Sequence, residues 1–100
     1  MTVYENLMVT AMEECAEIQK EISKALRFGI NNHHPDEPEI TNGGKILIEY
    51  QQLRAVINRL IMDGYIKGLE EKDSNLIYKN KLQKIEIFQQ YSKEIGTITE

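Results

Sequence analysis

The residues of this sequence that could do chemistry are glutamates placed inside apolar helical series. Glu14 interrupts the first series, and Glu17 lies one turn further along the same face. Glu49 interrupts a second series in the same way. The two series consist of Leu7, Ala11, Ile18, Ile22 and Ala25, and of Ile46, Leu53, Val56 and Leu60.

A carboxylate within an apolar face is costly to desolvate unless it is paired or binds a metal. Carboxylates from two packed helices suit a hard, oxygen-preferring cation, and Mg²⁺ is the usual choice where phosphate oxygens complete the coordination. The alternative is that these acids are solvated charges. Glu17 and Glu21 have Lys20 and Lys24 at helical spacing, and Glu49 could reach water from the edge of its face.

Two helices must position these glutamates. The first is predicted from about Val3 to Phe28, where Gly29 ends it. The second is predicted over about residues 43–63, with Thr41 or Asn42 as its N-cap. Between them lies a polar loop of residues 30–41, which contains both prolines and the adjacent pair His33 and His34.

A third helix is predicted over about residues 75–94, with Ser74 as its N-cap and an inward apolar face. Residues 65–72 are ambiguous and could add a short helical turn. Nothing alternates with period two for long enough to form a strand, so the sequence predicts an all-α bundle of three main helices, with or without a short fourth. The expected inward residues of the third helix are Ile77, Leu82, Ile85, Phe88 and Tyr91.

Length and composition bound the class of protein. The 100 residues suit one domain, 1–100, whose modest core would gain from partner chains. The net charge of −4 argues against a general binder of nucleic acid polymers. Cys15 excludes an internal disulfide and is expected to pack in the core. The absence of a membrane span and of a signal peptide favours a cytoplasmic protein.

Four segments, taken in order, carry a resemblance to a known family. Residues 13–17 (EECAE) are similar to the EExxE motif of the MazG-like nucleoside triphosphate pyrophosphohydrolases. Residues 23–29 (SKALRFG), and 81–85 (KLQKI) with the tail beyond, resemble small phage-encoded members. Residues 49–52 (EYQQ) stand where the family carries ExxD. The likeness covers nearly the whole chain.

The resemblance implies an Mg²⁺-dependent enzyme that cleaves a nucleoside triphosphate to the monophosphate and pyrophosphate. Carried over by position, Glu14, Glu17 and Glu49 would be metal ligands, and Glu13 would orient a water or support a ligand. It also implies a homodimer or homotetramer, acting in an infected bacterial cytoplasm. One position departs from the pattern, because Gln52 replaces the motif aspartate and offers a neutral oxygen that is poorer at activating water.

Four basic residues could neutralise phosphates near these acids: Lys24 and Arg27 on the first helix, and Lys81 and Lys84 on the third. The alternative for each is ordinary surface charge. The histidine pair lacks the usual spacing of metal ligands, so both histidines are expected to lie at the surface of the loop. The loop could also form a lid over a nucleobase. Because Gln52 leaves three glutamates without the aspartate, a nucleotide-binding protein that sequesters its ligand without cleaving it remains an alternative to the hydrolase.

Overall fold

The computed structural model describes all residues 1–100 and contains three α-helices and no strand. The helices are α1 (Val3–Phe28), α2 (Asn42–Met62) and α3 (Glu71–Glu94). This confirms the all-α prediction with three main helices; residues 65–72 form no helix of their own, because the last two of them begin α3. None of the three helices is long and apolar enough to cross a membrane.

The chain divides into two compact units, residues 1–67 and residues 68–100. The first unit contains α1 and α2, which pack side by side as an antiparallel hairpin. Contacts at both ends show the antiparallel direction. Asn42 donates a hydrogen bond to the backbone just after α1, and the Tyr65 ring packs against the Tyr4 ring at a tilt of 43°, with ring centroids 5.3 Å apart. The prediction of a single domain stays a prediction.

Local signals fix the ends of these two helices. Thr2 and Glu5 form a capping box at the start of α1, each bonding the other's backbone N–H at 3.1 Å. Gly29 ends α1 with φ of 99°, a backbone conformation that glycine adopts without strain. Thr41 caps α2 by accepting a hydrogen bond from the Gly44 N–H at 2.9 Å. The predicted bounds of α1 are confirmed, and α2 begins and ends one residue earlier than predicted.

The α1–α2 seam follows alternating steps of four and three residues, the spacing of antiparallel helices that cross at a shallow angle. Only two apolar side chains in the whole chain are buried, Ala25 and Leu60. Ile22, which was expected to face inward, is exposed, and Glu21 takes its place because the four–three repeat passes through position 21. The seam positions are Leu7, Ala11, Glu14, Ile18, Glu21 and Ala25 on α1, and Asn42, Ile46, Glu49, Leu53, Val56 and Leu60 on α2.

Residues 30–41 are tied back to the start of α2. The Asn42 N–H donates to the Asn32 carbonyl at 2.7 Å, and the Gly43 N–H donates to the Ile30 carbonyl at 2.9 Å. A Cβ at position 43 would lie 3.0 Å from Ile30 Cγ1 and 3.3 Å from the Ile30 carbonyl oxygen, so a side chain there would require Ile30 to shift by a few tenths of an ångström. Backbone hydrogen bonds therefore hold the loop against the start of α2.

The second unit contains α3, which begins at Glu71 and not near Asn75. The predicted Ser74 cap is wrong. Glu70 is the N-cap, without a side-chain hydrogen bond, and acidic Glu71 and Asp73 in the first turn suit the positive end of the helix dipole. The apolar residues expected to face inward are also placed differently, because no residue of α3 is buried: Ile77, Leu82, Ile85, Phe88 and Tyr91 are all exposed.

Candidate functional site

Three of the predicted site residues meet midway along the α1–α2 seam. Glu14 and Glu49 are half-buried and face each other across it. Gln52, one turn after Glu49, joins the two carboxylates when its amide is oriented by the hydrogen-bonding partners around it. Its nitrogen then donates to Glu49 Oε2 at 3.0 Å and to Glu14 Oε2 at 3.2 Å. We call Glu14, Glu17, Glu49 and Gln52 the carboxylate cluster.

The surroundings of the Glu49 carboxyl group in this cluster raise its pKa. Its partial burial raises its pKa above the ordinary value of 4.5, and the negative charges of Glu14 and Glu17 raise it further. A hydrogen bond with Glu14 favours the protonated form in the same direction. Glu17 is itself exposed, yet its charge reaches Glu49. The cluster is therefore a place of concentrated negative charge that a cation would relieve.

The raised pKa of Glu49 predicts a pH-dependent effect of a Glu49→Gln substitution. Because the folded state holds this proton more tightly than the unfolded state, the contribution of Glu49 to stability falls as pH rises through the raised pKa. Without added cations, Glu49→Gln is expected to be more stable than the natural protein at pH 7. Well below pH 4.5, where Glu49 is protonated in both the folded and the unfolded state, the difference is expected to vanish.

Urea denaturation of both proteins at several pH values, in chelator, would measure this difference. Glu86→Gln on the exposed surface of α3 is the matched control. A Glu49→Gln variant that is less stable than the natural protein at pH 7 would contradict the explanation by burial and like charge.

A further carboxylate, Glu21, lies on the seam nearly two turns beyond Glu14. It is only 6% exposed. Its Oε1 lies 3.7 Å from Lys24 Nζ, which is a long ion pair, and its Oε2 has no hydrogen-bond partner. The sequence left Glu21 open as a solvated charge, with Lys24 at helical spacing as a surface partner. The signal that could have located it was the four–three repeat through Glu14, Ile18 and Ala25.

The predicted phosphate-binding residues are placed in different environments. Lys24 is half-buried, pairs with Glu21 and lines a cavity at the loop end of the hairpin. The Arg27 guanidinium lies 4.8 Å from the centroid of the Phe28 ring. Lys81 and Lys84 are exposed on α3 in the second unit. A role for any of the four in phosphate binding stays a prediction.

Sequence reasoning missed Lys45, which lines the same cavity as Lys24. Its Nζ lies 3.0 Å from Glu37 Oε1, and this contact raises the pKa of Lys45 and lowers the pKa of Glu37. Glu37 comes from the Pro-containing loop, so no helical spacing could have linked it to Lys45. Only the closure of the loop onto α2 brings the two together.

The remaining candidates lie at the surface. Glu13 is exposed on α1. Cys15 is exposed too, so its expected place in the core is wrong; its position falls outside the seam repeat. His33 and His34 are exposed on the loop, as predicted, and border the cavity. The His33 Nδ1 contacts the His34 carbonyl at 2.9 Å, and the His34 Nδ1 accepts from the Asp36 N–H at 3.1 Å.

The donor chemistry of the cluster suits Mg²⁺, because Glu14, Glu17, Glu49 and Gln52 all offer the oxygen ligands which that ion prefers. In the side-chain conformations described, no group of three or more histidine, cysteine, aspartate or glutamate residues is arranged to hold a metal ion. The Gln52 nitrogen faces the two carboxylates in this arrangement, and rotating its amide would present the oxygen instead. Magnesium binding stays a prediction.

No protein-family model, curated protein or solved structure matches this chain.

Proposed function

We propose that this protein binds a nucleotide with Mg²⁺ at the carboxylate cluster and hydrolyses a nucleoside triphosphate to the monophosphate and pyrophosphate. The observation that carries the proposal is the meeting of Glu14 and Glu49 across the seam. There burial raises the pKa of Glu49, and the charges of Glu14 and Glu17 raise it further. Two facing helices that aim acids at one point are a common way to build a metal site in a helical bundle. The motif resemblance of residues 13–17 and 49–52 supports the same reading.

Each residue of the cluster has a role in this proposal. Glu14, Glu17 and Glu49 would hold the cation, with the Gln52 oxygen as a neutral fourth donor. Mg²⁺ supplies charge neutralisation of the phosphates and polarisation of the reacting phosphoryl group. Glu13, one residue before Glu14, would orient a water.

In this proposal the protein acts as a homodimer or homotetramer. Supporting this, a chain with only two buried apolar residues has little core of its own, and association would bury more apolar surface. A shallow apolar depression of about 430 Å³, lined by Leu47, Ile48 and Ala55, lies beside Gln52. The apolar residues of α3 are exposed as well. The resemblance to small phage-encoded proteins would place the activity in an infected bacterial cytoplasm.

The test is release of pyrophosphate from a panel of standard and non-standard nucleoside triphosphates, with Mg²⁺ and with chelator. Release that requires Mg²⁺ supports the hydrolase. If no triphosphate is cleaved and calorimetry detects no nucleotide binding with Mg²⁺, the proposed function is wrong.

A second candidate is a nucleotide-sequestering protein without turnover, and Gln52 favours it. The neutral amide stands where the family carries an aspartate, and its nitrogen is engaged by Glu14 and Glu49. A glutamine cannot accept a proton from water as a carboxylate can. Tight binding in calorimetry without pyrophosphate release would support this candidate.

Gln52→Asp is expected to raise Mg²⁺-dependent pyrophosphate release by about tenfold or more, since a positioned general base contributes at least that much. Without Mg²⁺ the variant is expected to melt at a lower temperature, because two donated hydrogen bonds are replaced by carboxylate repulsion. Gln51→Asp makes the same charge change one residue away and is the control. Equal rates for the two variants would show that position 52 does not limit turnover.

A further inference from the structure

We propose that the cavity at the loop end of the hairpin binds the base of the nucleotide whose phosphates lie at the carboxylate cluster. This inference rests on the proposed function and names the part of the ligand that the cavity holds. The cavity lies between the end of α1, residues 30–41 and the start of α2. We call it the loop cavity, and its walls include Lys24, Phe28, Asn32, Asn42 and Lys45.

The size and position of the loop cavity suit a nucleoside. Its volume of about 650 Å³ lies within the range of ordinary small-molecule sites, about 300–1,000 Å³. Lys24 follows Glu17 by two helical turns, which is about 10 Å along α1 at 1.5 Å per residue. That distance is comparable to the reach of a nucleotide from its phosphates to its base. One extended ligand could therefore occupy both places.

The walls offer the two kinds of contact that a base makes. Phe28 presents an aromatic ring to the cavity, and the Arg27 guanidinium lies against that ring at 4.8 Å. Bases stack on such rings whatever their identity, with additional cation–π support from arginine. The ring is more than half exposed in the protein alone, so it has a face available for stacking.

Asn42 supplies a polar contact within the wall. The residue is only 5% exposed and lines the cavity. Its Nδ2 donates to the Gly29 carbonyl at 2.8 Å, which fixes the amide, and no hydrogen bond to its Oδ1 is present within the protein. Because this oxygen is not among the buried unpaired atoms of the protein, solvent reaches it, and it is available to accept a hydrogen bond from an N–H group of a base.

The charges at the cavity favour a neutral ring over a second phosphate. Lys24 and Lys45 both line it, yet each is paired with a glutamate, at 3.7 Å to Glu21 and at 3.0 Å to Glu37. These pairs leave little net positive charge to attract an anion. A planar group with donors and acceptors at its edge matches the walls better.

The experiment compares binding of α,β-methylene analogues of ATP, GTP, CTP and UTP with binding of inorganic tripolyphosphate, all with Mg²⁺, by calorimetry. The analogues resist cleavage, so binding alone is measured. Phe28→Ala is expected to lower the affinity for the best-bound analogue by about tenfold, from the loss of one stacking contact. It is expected to leave tripolyphosphate affinity within about twofold, since that probe has no base to stack.

Two further variants sharpen the comparison. Phe28→Tyr keeps the ring and is expected to retain analogue affinity. Leu26→Ala truncates an apolar side chain of the same helix that is 83% exposed, and it is the control for folding and handling.

Equal losses of both probes in Phe28→Ala, or unchanged analogue affinity, would overturn the base site while leaving the proposed function in place. Failure of the natural protein to bind any analogue or tripolyphosphate would overturn the proposed function and the base site together.

Discussion

A Glu14→Gln variant is expected to lose Mg²⁺-dependent pyrophosphate release by at least about 100-fold. Even residues that only support a metal ligand change metal affinity or activity by about 10–100-fold, so a direct carboxylate ligand should reach the upper end of that range or exceed it. The change removes one negative charge while keeping the size of the side chain. It also keeps an oxygen that can accept the hydrogen bond of Gln52.

Release rates for Glu14→Gln and for the matched control Glu86→Gln, measured over a range of Mg²⁺ concentrations, would test this expectation. Glu86 lies exposed on α3, so its substitution makes the same charge change far along the sequence from the cluster. A loss that excess Mg²⁺ partly restores would point to weakened metal binding. Equal rates for the two variants would remove Glu14 from the site.

A Leu60→Ala variant is expected to lower the free energy of unfolding by about 3 kcal/mol, within the range of about 2–5 kcal/mol for truncating a buried leucine. Leu60 is 0% exposed and is the largest fully buried side chain of the protein. Its carbonyl also accepts hydrogen bonds from the Tyr65 and Ile66 N–H groups, at 2.9 and 3.3 Å, where the chain turns after α2. Leu60 therefore lies at the end of the hairpin where the Tyr4 and Tyr65 rings pack against each other.

Denaturant titrations, followed by the circular dichroism signal of the helices, would measure the loss in free energy of unfolding. Leu26→Ala is the matched control: Leu26 is 83% exposed, so its truncation should change stability by no more than about 0.5 kcal/mol. Both variants must be compared at one protein concentration, since any self-association adds to apparent stability. Similar values for the two would contradict the burial of Leu60 as a main support of the hairpin.

The cluster was predictable from sequence because it depends on one helical period in each of two helices. Glu14 and Glu49 interrupt apolar series, and a seam between two helices brings such positions face to face. The sequence could not show that the Gln52 amide joins the two carboxylates. That contact depends on the rotation of α2 about its axis and on a side-chain orientation that follows from the partners.

The environment of Glu21 shows that helical spacing between charged residues does not predict burial. The i,i+3 spacing to Lys24 is real, and the ion pair forms at 3.7 Å. Local spacing predicts a pair but says nothing about burial, which here depends on the partner helix lying over position 21. Ile22 is exposed for the same reason.

The sequence by itself determined that there are three helices, where α1 begins and ends, and that Glu14 and Glu49 lie on the inward faces of α1 and α2, because caps, glycine stops and helical periodicity act over a few residues. Only the tertiary structure decided which groups meet across the loop: Lys45 with Glu37, and Asn42 with the backbone at Gly29. It also decided that the apolar face of α3 is exposed. Burial requires a partner surface, and that surface is specified by packing between distant segments, which no local pattern encodes.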